Sequence, residues 1–208
     1  MSQAVCARFV HALTFSRVPL IFAWLVCAVA GELRSSWAWA AAACLAMLLS
    51  GLTDALDGWL ARRWNVVSTL GKMSDPLMDK VFYIVAFPAL VWLVERQGES
   101  TLHSMAMLAF TVLYMLRDTW VTFLRSVGAL YGAEVGAMTL GKVRTALSFP
   151  GAGWVYMYCA FHRFAPAGWR GGWLASCYCV EFALAVLTVV SLFTYTRAYE
   201  KFLKKALA

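Results

Sequence analysis

Residues 54–79 read DALDGWLARRWNVVSTLGKMSDPLMD. This stretch holds Asp54, Asp57, Asp75 and Asp79, four of the chain's five aspartates, and the segments on both sides of it are apolar. An ionised carboxylate near hydrocarbon costs a few kcal/mol, about 2.5–3.5 at the centre of a span. Four of them together also repel one another. Positive charge therefore has to sit among them. Asp54 and Asp57 stand at i and i+3 and share one helix face; Asp75 and Asp79 stand at i and i+4 and share another. Two successive antiparallel helices bring those faces together as a set of hard oxygen ligands. Such a set suits magnesium, manganese or calcium rather than zinc or copper. Two ions fit among four carboxylates, and paired ions suit displacement at phosphorus.

The residues between the acids agree with this reading. Gly58 and Ala61 lie on or near the Asp54/Asp57 face, where small side chains admit a ligand close to the backbone. Arg62, one turn further, can pair with a phosphate. Residues 62–74 are expected to connect the helices, with Gly71 in a tight turn, Asp75 near a helix cap and Pro76 in the first turn. The competing reading is a set of salt bridges to Arg62, Arg63, Lys72 and Lys80 that pins a helical hairpin. Salt bridges alone do not require this spacing.

Outward from the acids the chain is greasy. Of its 208 residues 62% are hydrophobic and 14% charged, against about a quarter charged in soluble domains. Six apolar runs approach the roughly 20 residues of a membrane span: Val18 to Ala30, Trp37 to Leu60, Pro76 to Val94, Leu102 to Val127, Val143 to Phe161 and Trp173 to Tyr195. The expected fold class is all-α integral membrane, one domain over 1–208 with six transmembrane helices and an N-terminal juxtamembrane amphipathic segment from Phe9. Six spans put both termini on one side. Of 18 Lys and Arg, only Arg34, Arg96, Arg163 and Arg170 fall on the other. The termini and the acid cluster are therefore expected to be cytoplasmic. The net charge of +7 follows that bias. It suits anionic headgroups; without a basic tail or a basic–aromatic stripe it does not suggest nucleic acid. Thr14, Ser16 and Arg17 break the first apolar run, so no cleaved signal is expected. Cys6, Cys27, Cys44, Cys159, Cys177 and Cys179 lack metal-ligand spacing and read as small apolar fillers.

At these residues the chain resembles the CDP-alcohol phosphotransferases. D-A-L-D-G-W-L-A-R, eight residues, then G-K-M-S-D-P-L-M-D matches the family signature D-x2-D-G-x2-A-R-x8-G-x3-D-x3-D at all eight fixed positions. The resemblance implies a six-helix membrane bundle, a homodimer, and a site open to the cytoplasmic leaflet. It implies Mg2+ or Mn2+, two ions, held by Asp54, Asp57, Asp75 and Asp79. It gives Asp54, Gly58, Ala61, Arg62 and Gly71 to the CDP part of a CDP-linked lipid, and makes Asp79 the general base on the acceptor hydroxyl.

Three further segments bear on the acceptor. His11 to Pro19 (HALTFSRVP) is similar to the N-x-L-T-x-x-R-V stretch of phosphatidylglycerophosphate synthases; Thr14 and Arg17 match and join the CDP set, while His11 replaces Asn. Arg117 to Arg125 (RDTWVTFLR) is similar to their R-E-x6-R, with Asp118 for Glu, and Gly141 to Thr145 (GKVRT) to their G-K-V-K-T. Arg117, Arg125, Lys142 and Arg144 can form a pocket for an acceptor phosphate, or they can be topology residues. The resemblance therefore implies phosphatidyl transfer from CDP-diacylglycerol to glycerol 3-phosphate. Cardiolipin synthase, which shares the Arg-Asp pair, and an inositol-phosphate acceptor are the alternatives within the family. From other classes, an intramembrane prenyltransferase would spread its acids over a longer chain, and a cation transporter would line a path with them. His103 and His162 are expected to be solvated, Glu181 to be hydrogen-bonded in packing, and the terminal KFLKK to anchor at headgroups.

Overall fold

The computed structural model describes residues 2–98, 101–132 and 139–207, with the backbone alone at helical positions 72, 75, 139, 140, 142 and 167. Six long helices follow in order: α1 Gln3–Arg34, α2 Trp37–Arg63, α3 Thr69–Gln97, α4 Thr101–Leu130, α5 Thr139–Phe161 and α6 Ala167–Leu207, with a 3-10 turn at His162–Phe164. The amphipathic stretch and the first span are continuous within α1. α6 has 41 residues. At 1.5 Å per residue it is about 61 Å long, well beyond the ~30 Å of a hydrocarbon core.

α3 begins earlier than the proline suggests. Ser68 caps it, its Oγ accepting the Gly71 N–H at 3.0 Å. Gly71 is therefore helical rather than in a tight turn, and Asp75 and Pro76 fall in the second turn. The cap and the packed helix outweigh the one backbone bond that Pro76 removes. The reversal occupies residues 64–68, where Asn65 takes φ 55°, a conformation that Asn tolerates.

Among the described residues five helices are long and apolar enough to cross a membrane: α1 to α4, and α6 over Gly168–Leu207. α5, at 23 residues, has the length, but Arg144, Thr145, Ser148, Pro150, Gly151 and Gly153 dilute its apolar character. Large apolar side chains such as Leu48, Leu102 and Phe182 face outward, each more than 60% exposed. Thr14, Arg17, Ser50, Asp57, Arg117, Arg144, Thr188 and Ser191 are buried. Apolar side chains turned outward, polar and charged ones turned in beside the apolar core, and backbone groups satisfied inside helices are what lipid selects. The fold is that of an all-α integral membrane protein.

The chain forms two compact units. The first comprises residues 1–98 and 156–165. Here α1 packs on α2 and on α3, around Ile21, Trp24, Ala40, Ala43, Phe87 and Leu90. Small residues let the backbones close: a Cβ on Gly31 would lie 3.1 Å from the Ala40 nitrogen. At one end of this unit Glu32 is held by Arg163 at 2.6 Å. The second unit comprises residues 99–155 and 166–208, and in it α4 packs on α6. Val121, Leu124, Tyr195, Tyr199 and Phe202 form one cluster there.

The two histidines are buried, not solvated. His103 donates to Glu181, 3.0 and 3.1 Å from its two oxygens. His162 donates through Nδ1 to the Tyr158 carbonyl at 3.1 Å and stacks on that ring. Each is drawn in by a partner that satisfies its ring nitrogen. The Glu181 bond agrees with the packing role expected of that residue.

Candidate active site

Within the first unit, α1 delivers Arg17 to the acids of α2 and α3. Arg17 Nη1 lies 2.5 Å from Asp54 Oδ1 and 3.7 Å from Asp79 Oδ1, and Nη2 lies 3.6 Å from Asp57 Oδ2. Thr14, nearly one turn earlier, donates to Asp57 Oδ2 at 2.7 Å. Arg17 and Asp57 are buried, whereas the Asp54 and Asp79 side chains are 52% and 40% exposed. The expected positive charge among the acids thus comes from α1, a helix the spacing argument did not use. The side chains of Asp75 and Lys72 lie outside the described residues. Among the described residues no three His, Cys, Asp or Glu side chains are grouped to ligate one ion; three carboxylates converge on a guanidinium instead. The three carboxylates gathered at this guanidinium offer oxygen donors only, and those of Asp54 and Asp79 are partly open to ligands. That donor set fits a hard divalent cation.

Beside the acids lies a cleft of about 280 Å³. Thr14, Asp57, Gly58, Ala61, Arg62 and Gly71 line it, together with Val10, His11, Val66, Val67 and Ser68. Of the residues inferred for CDP, only Asp54 and Arg17 are not in its wall; Arg17 contacts Asp57, which is, and Asp54 pairs with Arg17. The glycines keep the cleft open. A Cβ at Gly58 would point toward the Arg62 guanidinium, 3.6 Å away, and one at Gly71 would crowd Ser68 Oγ at 3.3 Å. His11 and Ser68 were not assigned a role from the sequence. Their side chains are hydrogen-bonded at 3.2 Å, which ties α1 to the cap of α3 along one wall. A serine just before an amphipathic turn was the available signal for Ser68.

The second unit holds the basic residues. Arg117 and Arg144 are 4% and 1% exposed. They share Asp118 Oδ1, at 3.6 Å from Arg117 Nη1 and 3.4 Å from Arg144 Nη2. Arg117 also donates to Ser191 Oγ. Arg144 lies over the Tyr114 ring, 4.0 Å from its centroid, and Arg117 over Tyr195 at 5.0 Å. Arg117 Nε and Arg144 Nε and Nη1 are buried with no hydrogen-bond partner among the described residues. Two buried guanidiniums on one carboxylate leave positive charge in excess, with donors pointing at nothing described. Buried donors of this kind call for a partner, and a bidentate anion is the natural one. Lys142 is helical, but its side chain lies outside the described residues.

Fold and site together define a polytopic membrane protein built around an oxygen-ligand cluster beside a glycine-lined cleft. The family profile of the CDP-alcohol phosphatidyltransferases matches residues 9–194. A cardiolipin synthase (CMP-forming) from Streptomyces coelicolor is 30% identical over 73% of this chain and 69% of its own. A CDP-diacylglycerol–glycerol-3-phosphate 3-phosphatidyltransferase from Rickettsia bellii is 31% identical over 50% of this chain and 51% of its own, so the match spans about half of that relative. The enzyme of the same name from Treponema pallidum is 28% identical over 79% of this chain and 72% of its own. The chain belongs to the CDP-alcohol phosphatidyltransferase family and is a transferase. That family is generally dependent on divalent metal, in keeping with the donor set at Arg17.

Proposed function

We propose that this chain transfers the phosphatidyl group of CDP-diacylglycerol to glycerol 3-phosphate, giving phosphatidylglycerophosphate and CMP. The observation that carries the reading is the cleft lined by Thr14, Gly58, Ala61, Arg62 and Gly71 with Asp57 in its wall. Gly58, Ala61, Arg62 and Gly71 are residues the family signature gives to the CDP part, and the N-terminal stretch adds Thr14. Gly58 and Ala61 let the nucleotide approach the backbone, and Arg62 pairs with a phosphate oxygen. Mg2+ or Mn2+, as two ions held by Asp54, Asp57, Asp75 and Asp79, would neutralise the diphosphate and ease the departure of CMP. Asp79, with its carboxylate 40% exposed, takes the proton from the acceptor hydroxyl as that oxygen bonds to the phosphorus next to the lipid. The bond from this phosphorus to the bridging oxygen breaks, and CMP leaves with that oxygen. Arg117, Arg125, Lys142 and Arg144 take the phosphate of the acceptor, a role supported by the buried donors of Arg117 and Arg144 that lack partners among the described residues.

The excess of Lys and Arg on the side of the termini supports a cytoplasmic site and cytoplasmic termini. A second copy of the chain is the expected partner, which size in detergent tests. The Streptomyces relative, 30% identical, and the Arg117-Asp118 pair favour a second reading as a cardiolipin synthase, with phosphatidylglycerol as acceptor. An acceptor screen separates the two. Labelled CDP-diacylglycerol is supplied to the detergent-purified protein with glycerol 3-phosphate, phosphatidylglycerol, inositol phosphate or serine, and the lipid formed is identified. Magnesium-dependent CMP release with glycerol 3-phosphate is expected; product from phosphatidylglycerol alone would overturn the choice.

A further inference from the structure

We propose that Tyr195, on α6, is the positioning residue of the arginine cluster, holding Arg117 and Arg125 in the geometry that receives the acceptor's phosphate. The proposal rests on the acceptor reading given above, and it concerns a residue that neither the motif nor the charge pattern singles out.

Tyr195 is 1% exposed. Arg117 Cζ lies 5.0 Å from its ring centroid and Arg125 Cζ 5.6 Å. Its hydroxyl accepts a hydrogen bond from Arg125 Nη2 at 3.2 Å. Arg117 and Arg125 are eight positions apart on α4, about 12 Å along the axis, yet both guanidiniums converge on this one ring. Ring faces attract cations without neutralising them. Tyr195 therefore fixes two long side chains and leaves their charge available, which a carboxylate in the same place would not. Without the ring, Arg117 would lose its stack and Arg125 its neutral acceptor. Arg117 would then be left to Asp118, already 3.6 Å from it, and Arg125 would be free to turn toward headgroups.

The first turn of α5 gives independent support. A Cβ at Gly141 would lie 2.8 Å from the Tyr195 hydroxyl, 3.2 Å from its Cε2 and 3.3 Å from Arg117 Nη2. The tyrosine and the guanidinium fill the space that a side chain at 141 would need. Glycine there lets the segment carrying Arg144 close onto the pair, which gives the Gly141 to Thr145 stretch a physical reason for its first residue.

The test uses the full chain in detergent, with CDP-diacylglycerol and glycerol 3-phosphate varied separately, and Arg144→Gln as the control for the acceptor reading itself. Tyr195→Leu removes both ring contacts and is expected to raise the KM for glycerol 3-phosphate about tenfold, with the donor KM unchanged. Tyr195→Phe keeps the ring and is expected to raise it only about threefold. Gly141→Ala pushes on the same pair and should raise the acceptor KM as well; with Tyr195→Phe it carries the test if Tyr195→Leu does not fold. An acceptor KM raised by Arg144→Gln but unmoved by the Tyr195 and Gly141 variants would overturn the positioning role and leave the acceptor reading standing. An acceptor KM unmoved by Arg144→Gln would remove both. Equal rises in donor and acceptor KM at Tyr195 would make the ring a packing residue only.

Discussion

Arg17 Nη1 stands 2.5 Å from Asp54 Oδ1, and the same guanidinium reaches Asp57 and Asp79. One cation of α1 thus joins acids from two other helices. Its removal would leave three carboxylates facing one another near hydrocarbon. Arg17→Leu is therefore expected to destabilise the metal-free protein by about 2 kcal/mol; removing one partner of a fully buried pair costs about 3–5 kcal/mol, and the exposure of Asp54 and Asp79 reduces that here. Divalent metal would supply the missing charge, so Mg2+ or Mn2+ should restore most of the loss. Thermal unfolding in EDTA, then with metal, reads both effects. Equal unfolding temperatures for variant and parent in EDTA would defeat the charge-balance argument.

Asp79 is the acid of α3 whose side chain is described, and at 40% exposed it is open to an acceptor. Asp79→Asn keeps the shape and removes the base. CMP release is expected to fall by about 10²–10⁴, while CDP binding, followed by protection against thermal unfolding, stays within a few-fold. Retained turnover would take the base assignment away from this residue.

Chelation should act on the same cluster from the other side. EDTA is expected to abolish CMP release, with recovery on adding Mg2+ or Mn2+, because three acids on one guanidinium still carry excess negative charge that a diphosphate would otherwise meet. Undiminished release after exhaustive chelation would break the link between the acids and the diphosphate.

The parts of this site that were legible in the sequence share one cause. Asp54, Asp57, Gly58, Ala61 and Arg62 lie on one short helical segment, so a period of 3.6 alone brings them together. What was not legible, in the site and in the packing around it, are contacts across long separations. Tyr195 reaches Arg125 over 70 positions and His103 reaches Glu181 over 78. A tyrosine in an apolar run or a histidine near a helix end carries no pattern that names its partner. The start of α3 was misplaced for a different reason. Pro76 has a strong preference for a first turn, whereas Ser68 acts through one hydrogen bond to Gly71 that only the folded backbone reveals. Each of the six apolar runs lies on one of the six long helices of the described residues, five of which are apolar enough to cross a membrane, but the ends of α1 and α6 run past the apolar runs because helices continue into polar sequence without changing their backbone.

Gly58 offers a steric test of the cleft. A Cβ there would lie 3.6 Å from an Arg62 guanidinium nitrogen, an ordinary contact, so alanine should be tolerated. Gly58→Leu would fill the opening and push Arg62 away. The donor KM is expected to rise at least about tenfold for Gly58→Leu, equivalent to roughly 1.4 kcal/mol, with the acceptor KM unchanged. If leucine at 58 leaves the donor KM alone, the nucleotide does not lie in this cleft.

The pair of His103 and Glu181 separates stability from catalysis. The His103 side chain is buried and that of Glu181 partly so, 4% and 11% exposed, and the imidazole donates to the carboxylate at 3.0 Å. Tyr178 packs edge-on against the imidazole, with ring centroids 4.5 Å apart, so the ring cannot easily turn to find water. Glu181→Ala leaves that N–H unsatisfied and is expected to cost about 2–3 kcal/mol of stability. Glu181→Gln keeps an acceptor in reach and should cost about 1 kcal/mol. Neither should move the KM of donor or acceptor, since no residue assigned to them contacts the pair in the second unit. Thermal unfolding alongside steady-state kinetics checks this. A change in KM without a change in unfolding temperature would turn a packing contact into part of the functional site.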